Sequence, residues 1–426
     1  MKKILTFLLS LIMVISIPLQ ALADENTNTS IKQPKIYGTS AITIDMKTGE
    51  IIYAKDIDKK AYPASTTKLM TALLLAENKK KSDLLTYSQE AKNQPEYSLN
   101  LNVHPIAVGE KMTAANAMDG LLLFSGNDVA YMIASSVGGN VKSFINMMND
   151  RAKKLNLKNT HFVTPNGLHD NEHYTTAYDL SVIAREAFKN PWVRESMGKE
   201  KSTIKTATGP NMAVENRNKL LNKDGCIGGK TGYTSEAGRC LVAIYERNGR
   251  QIMGVVMKSV YDKDDKTVFE DMKKIIDYSY SAKQSTLISK DTNLRTETID
   301  YKSFRFFGPV KQLKVPVIIE DNVNYYENQL NTKENMSKLV SYNMNKFTLN
   351  DLKKGNSIGT LTINEKGVTK NFKLYSSLTS KDINKILIPS YIKFAAVCLV
   401  IIVLILFTIR TVNLKKRRKR RKNRYR

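Results

Sequence analysis

Apolar and polar positions alternate over residues 41–46 (Ala-Ile-Thr-Ile-Asp-Met), break at Lys47-Thr48-Gly49, and resume over 50–54. A period of two on either side of a turn is that of a half-buried hairpin. The period then lengthens. Residues 66–77, 114–123, 129–137 and 141–155 carry apolar side chains at helical spacing. Thr176-x-x-Asp179 has the hydroxyl-then-acid form that opens a helix, here running to Lys189. Strand periodicity returns over 241–258 as two runs joined at Asn248-Gly249, and a last helix fits 266–281. Beyond about residue 282 the helical period fades, leaving short β-prone runs at 312–319, 357–363 and 369–375. Interleaved helices and strands followed by strands alone predict a mixed α/β domain over 36–282 and a smaller β-rich domain over 283–388.

The two ends follow other rules. Met1-Lys2-Lys3, an apolar run from Ile4 to Leu19 and Ala21-Leu22-Ala23 before Asp24 form a charged region, an apolar region and a small-x-small cleavage site. That is the grammar of a secretory signal over 1–23, with an uncleaved N-terminal anchor as the alternative. Residues 24–35 are polar and are expected to be a linker. At the other end, Phe394 to Ile409 is a sixteen-residue stretch without a charge. It reaches the roughly 20 residues a bilayer requires if Lys393 and Arg410 extend toward the headgroups, so a transmembrane helix is predicted over 391–412. The basic run from Lys415 to Lys422 marks 413–426 as a tail retained in the cytoplasm, which leaves the bulk of the chain outside it.

Composition adds less. The apolar share of 42% and charged share of 25% are those of a folded globular chain, which excludes a wholly disordered or fibrous one. The net charge of +26 overstates how basic the folded part is, because eleven Lys and Arg lie in residues 410–426 with no acid among them. A stop-transfer flank explains that tail more simply than nucleic-acid binding. Three cysteines cannot staple a scaffold. Cys226 and Cys240 straddle an expected hairpin whose turn, near 235–238, would keep them from facing each other, so no disulfide is expected, and Cys398 falls in the membrane span.

Three short motifs carry the chemistry. Ser65-Thr66-Thr67-Lys68 opens an apolar helix, which sets a hydroxyl and an amine on one face at i and i+3, with unpaired backbone N–H groups nearby. Ser125-Gly126-Asn127 falls in a loop between two helical runs. Lys230-Thr231-Gly232 follows Gly228-Gly229 on an expected strand, where small residues permit close backbone approach. Alone, each is ordinary: a helix cap with a solvated lysine, a polar turn, a glycine-rich strand. In this order, with separations of 60 and 105 residues, they form the set of elements shared by β-lactamases and penicillin-binding proteins.

The wider sequence resembles the serine-type D-alanyl-D-alanine carboxypeptidases, the low-molecular-weight penicillin-binding proteins. The resemblance rests on residues 63–71, on Ser125-Gly126-Asn127-Asp128, on Thr164-Pro165-Asn166-Gly167-Leu168, on 216–221 and on 230–238. It implies a penicillin-binding or β-lactamase-like transpeptidase fold, an antiparallel sheet packed with helices plus a helical subdomain, followed by a β-rich domain and a membrane helix. It also implies Ser65 as nucleophile, Lys68 as general base with Lys230 as the cation that depresses its pKa, and Ser125 as proton relay to the departing D-alanine. Asn127 would orient the substrate amide, and Lys230, Thr231 and Arg217 would hold the terminal carboxylate, with a structural cation as the alternative for Arg217. The N–H groups of Ser65 and Tyr233 would form the oxyanion hole. The partners implied are peptidoglycan stem peptides, β-lactam antibiotics as inhibitors and membrane lipid around the C-terminal helix, with no nucleic acid, cofactor or metal. A β-lactamase, or a catalytically silent wall-binding protein on the same scaffold, are the alternatives.

Two patterns are expected to be coincidental. Glu96-Tyr97-Ser98-Leu99-Asn100 imitates a deacylating-glutamate element but precedes Ser125, where that element should follow it. His169-x-x-x-His173 has metal-ligand spacing for a helix, yet follows an Asn-Gly turn and is expected to be loop.

Overall fold

The computed structural model describes residues 33–95, 97–304 and 307–423. The expected leader, most of the linker, Glu96 and the last three residues of the basic tail lie outside the described residues. A five-stranded antiparallel sheet runs in the order Ile51–Lys55, Ser40–Asp45, Arg250–Ser259, Gly238–Arg247, Cys226–Thr234. The first hairpin and the last two strands therefore meet in the middle, with Ser40 opposite Met257 and Asp45 opposite Ile252. Asn248 and Gly249, at φ 51° and 74°, make the tight turn that the right-handed twist of a hairpin requires.

The period-two pattern separates two cores. Val242, Ile244, Met253, Val255 and Met257 face the larger one, while Leu241, Ala243, Tyr245, Ile252 and Val256 face the smaller one under the helix Thr267–Ser281. On the larger face the helix Lys68–Asn78 is central. Every residue from Lys68 to Leu75 is buried, because the helices Asn127–Gly138, Val141–Lys154, Ala177–Lys189 and Pro191–Met197 surround it. Thr176 caps its helix by accepting a bond from Asp179 N–H, as its motif predicts.

A second five-stranded antiparallel sheet follows, ordered Arg295–Lys302, Val310–Ile318, Val368–Ser376, Gly359–Glu365, Val340–Met344. Val315, Val317, Leu361, Ile363 and Leu374 pack its own core together with Ile383 and Leu387. It meets the first sheet through polar contacts. Lys370 pairs with Glu50 and Lys366 with Asp58, Asn328 Nδ2 donates to Ile51 O at 2.9 Å, and Tyr178 O–H donates to Lys366 O at 2.6 Å.

Several elements differ from the sequence expectation. The short helices Lys333–Lys338 and Leu349–Lys354 fall where only strands are expected, and the small hairpin Lys201–Ile204 with Met212–Glu215 is not anticipated. The strand Arg295–Lys302 escapes a hydrophobic reading because none of its residues is buried. The last helix runs over Ser380–Lys422 rather than 391–412. Thr379 and Asp382 form a capping box ahead of it, and Ile383 and Leu387, four apart, bury its first turns against the second sheet. Its apolar stretch is long enough to cross a membrane.

At the junction of the two sheets Glu365 is buried, and burial, with the charge of Glu50 adding to it, holds its carboxyl above the usual range against the opposing effects of Asn331 and Lys370. Replacing Lys370 with Ala leaves two carboxylates there without their cation and should cost about 3 kcal/mol at neutral pH. A folded-state carboxyl pKa above its unfolded value means the folded protein takes up the extra proton as pH falls, so the deficit should shrink toward pH 5. Urea midpoints of parent and Lys370→Ala at the two pH values check this.

Candidate active site

Ser65 sits on a single 3₁₀ turn, Ala64–Thr67, that leads into the helix Lys68–Asn78. Ala64 has φ 48°, an unfavourable region for a residue with a Cβ, so the turn is held in place by its surroundings. Two glycines grip it. A Cβ on Gly167 would fall 1.9 Å from Ala64 O, and one on Gly232 would fall 3.0 Å from Pro63 O and from Ser65 N. Thr66 Oγ1 donates to Pro63 O at 2.6 Å, and Thr67 Oγ1 lies 2.9 Å from His173 Nε2.

Ser125 ends a π-helical turn, Gly120–Phe124, in a left-handed conformation (φ 75°), and the helix Asn127–Gly138 begins two residues later. Asp128 fixes this corner. Its buried carboxylate accepts from Leu99 N–H, Asn100 N–H, Val129 N–H and Tyr87 O–H, all at 2.9–3.0 Å. Burial pushes its pKa up, and those four donors pull the other way. Asn127 N–H donates to Tyr97 O at 2.7 Å.

Lys230 and Thr231 come from the strand Cys226–Thr234, whose backbone passes beside the Ser65 turn. Gly229 is required there, because a Cβ would stand 2.5 Å from Val242 O across the hairpin.

These three elements place two buried lysines beneath two serines. Lys68 Nζ lies 2.8 Å from Ser65 Oγ, 2.9 Å from Asn127 Oδ1 and 2.9 Å from Asn166 O. Lys230 Nζ lies 2.9 Å from Ser125 Oγ and 3.0 Å from Thr231 O. Burial, then the charges of Lys230 and Arg217, hold the Lys68 amine well below the ordinary lysine range. Burial and Arg217 push Lys230 down to about 7. A neutral amine has two hydrogens and one lone pair. The carbonyl oxygens of Asn127 and Asn166 can only accept, so they take both hydrogens, and the lone pair is left for the Ser65 hydroxyl.

Above them lies a cleft of about 410 Å³ lined by Ser65, Ser125, Asn127, Arg217, Thr231 and Tyr233 among others. All eight site residues named from the sequence are thus brought to one place, six on its wall and Lys68 and Lys230 beneath. Arg217 stacks over Tyr97 and Phe124 at 4.7 and 5.0 Å. Tyr233 lies against Tyr261, with ring centroids 4.5 Å apart and planes tilted by 36°, and Arg239 sits over both and pairs with Asp265.

The sequence reading assigns no role to Asn166, Asp128, His173 or Tyr97. Asn166 acts through its backbone carbonyl, which side-chain chemistry does not signal. His173 Nδ1 accepts from Val163 N–H at 3.0 Å and Thr164 N–H at 3.2 Å, so its proton is on Nε2, facing Thr67. Burial pushes its pKa to about 4, and it stays neutral as a brace for the Ser65 turn. Cys226 and Cys240 are free and buried, opposite Tyr245 and Gly232 in the hairpin register.

Comparison with known proteins gives one family. The profile for Peptidase S11, D-alanyl-D-alanine carboxypeptidase, matches residues 27–260. The chain is 26% identical over 374 residues to the D-alanyl-D-alanine carboxypeptidase DacF of Bacillus subtilis, covering 86% of this chain and 91% of that protein. It is 34% identical over 244 residues to a Streptomyces D-alanyl-D-alanine carboxypeptidase, covering 54% of this chain and 84% of the other. Among solved structures, a Streptomyces DD-transpeptidase superposes with TM-score 0.53 at 31% identity, over 59% of this chain and all of the other. The D-alanyl-D-alanine carboxypeptidase of Mycobacterium tuberculosis gives 0.55 at 27%, over 60% and 96%.

Gly167, at φ 84°, has no room for a methyl group against the Ala64 carbonyl. Gly167→Ala should displace the Ser65 turn and slow its reaction with an acylating probe by about 100-fold, the usual effect of a misplacement near 1 Å. Labelling rates with a fluorescent acylating reagent, alongside the thermal midpoint, check it.

Proposed function

The chain belongs to the serine-type D-alanyl-D-alanine carboxypeptidase family, and on that premise we propose that it removes the terminal D-alanine from peptidoglycan stem peptides through an acyl-enzyme on Ser65. The single observation that carries this reading is the placement of Lys68 Nζ, 2.8 Å from Ser65 Oγ and 2.9 Å from the carbonyl oxygens of Asn127 and Asn166. Ser65 Oγ attacks the scissile carbonyl carbon as its proton passes to Lys68. The oxyanion is received by the N–H groups of Ser65 and Tyr233, each such donor being worth about 10²–10³ in rate. The support for that pairing is the close approach of the Gly232 strand to Ser65 N. As the tetrahedral intermediate collapses, the C–N bond breaks and the D-alanine nitrogen takes a proton from Ser125, which Lys230 replenishes across 2.9 Å. The proton that Lys68 took from Ser65 makes good the one that Lys230 gave up, which leaves Lys68 a neutral amine again. Water then attacks the ester carbonyl and gives a proton to Lys68, and the ester C–O bond breaks as Lys68 hands that proton to Ser65 Oγ.

Lys230, Thr231 and Arg217 suit the terminal carboxylate of the substrate, which confines the reaction to chain ends. Penicillins present a carboxylate and a strained amide in the same relation, and they should acylate Ser65 and leave slowly. With the N-terminal leader and the basic C-terminal tail as topological signals, the cleft lies on the outer side of the membrane and the tail inside.

Ser65→Ala should abolish both D-alanine release from a peptide ending in D-Ala-D-Ala and stable labelling by penicillin. Retention of either would remove the mechanism, and rapid penicillin turnover by the parent would make it a β-lactamase. The pH profile tests the two lysines. Below its lowered pKa Lys68 is protonated and has no lone pair, so kcat/KM should rise with pH as that proton is lost, well below the ordinary lysine value of about 10.4. It should fall again as Lys230 loses its charge near pH 7. Lys230→Arg keeps the charge and should carry the alkaline limb out of range while leaving the acid limb in place, whatever its effect on the maximum.

A further inference from the structure

The turn between the strands Arg295–Lys302 and Val310–Ile318 carries Phe304 and Phe307, which no catalytic role accounts for. Their rings stack at 4.7 Å, Phe304 meets Tyr391 edge-on at 5.3 Å, and both meet Phe394 at 5.0 and 5.3 Å. The cluster is partly open: Phe307 is 49% exposed, Val310 59%, Tyr391 46% and Phe394 43%. Phe394 is also the first residue of the charge-free run in the C-terminal helix. The turn is fastened to that helix, with Lys311 Nζ donating to Ser303 Oγ at 3.3 Å and Ser390 Oγ at 3.2 Å, and Ser303 Oγ donating to Ser390 Oγ at 3.1 Å.

We propose that Phe304 and Phe307 form a second membrane-docking surface, seated at the headgroup level of the same bilayer that the C-terminal helix crosses. The inference rests on the reading of that helix as a membrane span. Continuity of the chain sets the depth. The helix is docked on the second sheet by Ile383 and Leu387 and continues without a break into the apolar run, so no flexible linker separates the sheet from the membrane. Rings that touch the first residue of the span lie where it enters the lipid. That is the level at which aromatic side chains are favoured, with an apolar body and a wet edge. The charges suit an anionic leaflet. Lys302, Lys311 and Lys393 flank the cluster, and a crevice of about 890 Å³ behind it adds Lys353 and one acid, Asp300. Lysines near such a surface are drawn to its anionic headgroups. The bilayer is the occupant that fits aromatic rings, basic rim and helix entry together.

The test uses the full-length protein in vesicles of phosphatidylcholine and phosphatidylglycerol that contain lipid brominated near the glycerol end of the acyl chains. The parent has a single tryptophan, Trp192, in the helix Pro191–Met197, and it supplies the unquenched baseline. Phe307→Trp, and independently Val310→Trp in case the first variant folds poorly, should show a blue-shifted second emission component that loses roughly half its intensity to the brominated lipid, as expected at interfacial depth. Added tryptophans that emit as if in water and are not quenched, in protein that stays with the vesicles through an alkaline wash, would overturn the docking surface and leave the span intact. Protein released by that wash would overturn the span and the docking surface with it.

Discussion

An ammonium group has three hydrogens to place and no lone pair, and an amine has two hydrogens and one lone pair. Three oxygens surround Lys68 Nζ, and burial with the charges of Lys230 and Arg217 favours the amine, whose two hydrogens go to the two carbonyls, which can only accept, leaving the lone pair toward the Ser65 hydroxyl. Much of the first sheet and its helices serves that condition. The all-buried helix supplies the low dielectric, and Lys230 and Arg217 supply the repulsion. Asn127 and the Asn166 carbonyl fix the direction of the hydrogens. Each arrives from a different part of the chain, so the site depends on packing that is distributed rather than local.

Some of the unfavourable backbone in the structure lies at the same place. Ala64 and Ser125, both with side chains, sit at φ 48° and 75°, and both adjoin the reacting hydroxyls. Glycines 167, 229 and 232 are the complementary device, each at a point where another backbone passes too closely for a methyl group. A site that keeps two lysines buried and two residues in unfavourable conformations loses stability relative to a relaxed packing, which is the usual relation between function and stability in enzymes.

What the sequence revealed follows from how local each signal is. The helices around Lys68 and the central hairpins have strong periodicity and marked turns, so residues 114–154 and 238–281 read almost as they fold. The chemical motifs were legible because their spacing is specific as a set, although the contacts that join them span 59 to 105 residues. Groups that act through backbone atoms were not legible: the Asn166 carbonyl and the Tyr97 carbonyl have no side-chain signature. Tyr97 belonged to a segment dismissed as coincidence, yet its ring carries Arg217 and its carbonyl anchors Asn127. In the second sheet, the strand Arg295–Lys302 has only Ile299 and Tyr301 as apolar residues on its half-buried face, too few to mark a period. The C-terminal helix starts eleven residues earlier than its apolar run suggested, because a cap and two buried residues, rather than hydropathy, set its beginning.

The order of strands in the first sheet governs when the surroundings of Ser65 are complete. Ser40–Asp45 pairs with Arg250–Ser259, and Lys230 comes 165 positions after Ser65. Closing such a sheet requires loops of some two hundred residues, a non-local topology that folds slowly compared with helical chains. During synthesis Ser65 emerges long before the strand that completes its surroundings. A partly synthesised chain therefore has Ser65 without Lys230 beside it, and the site is assembled only when the final hairpin closes the centre of the sheet.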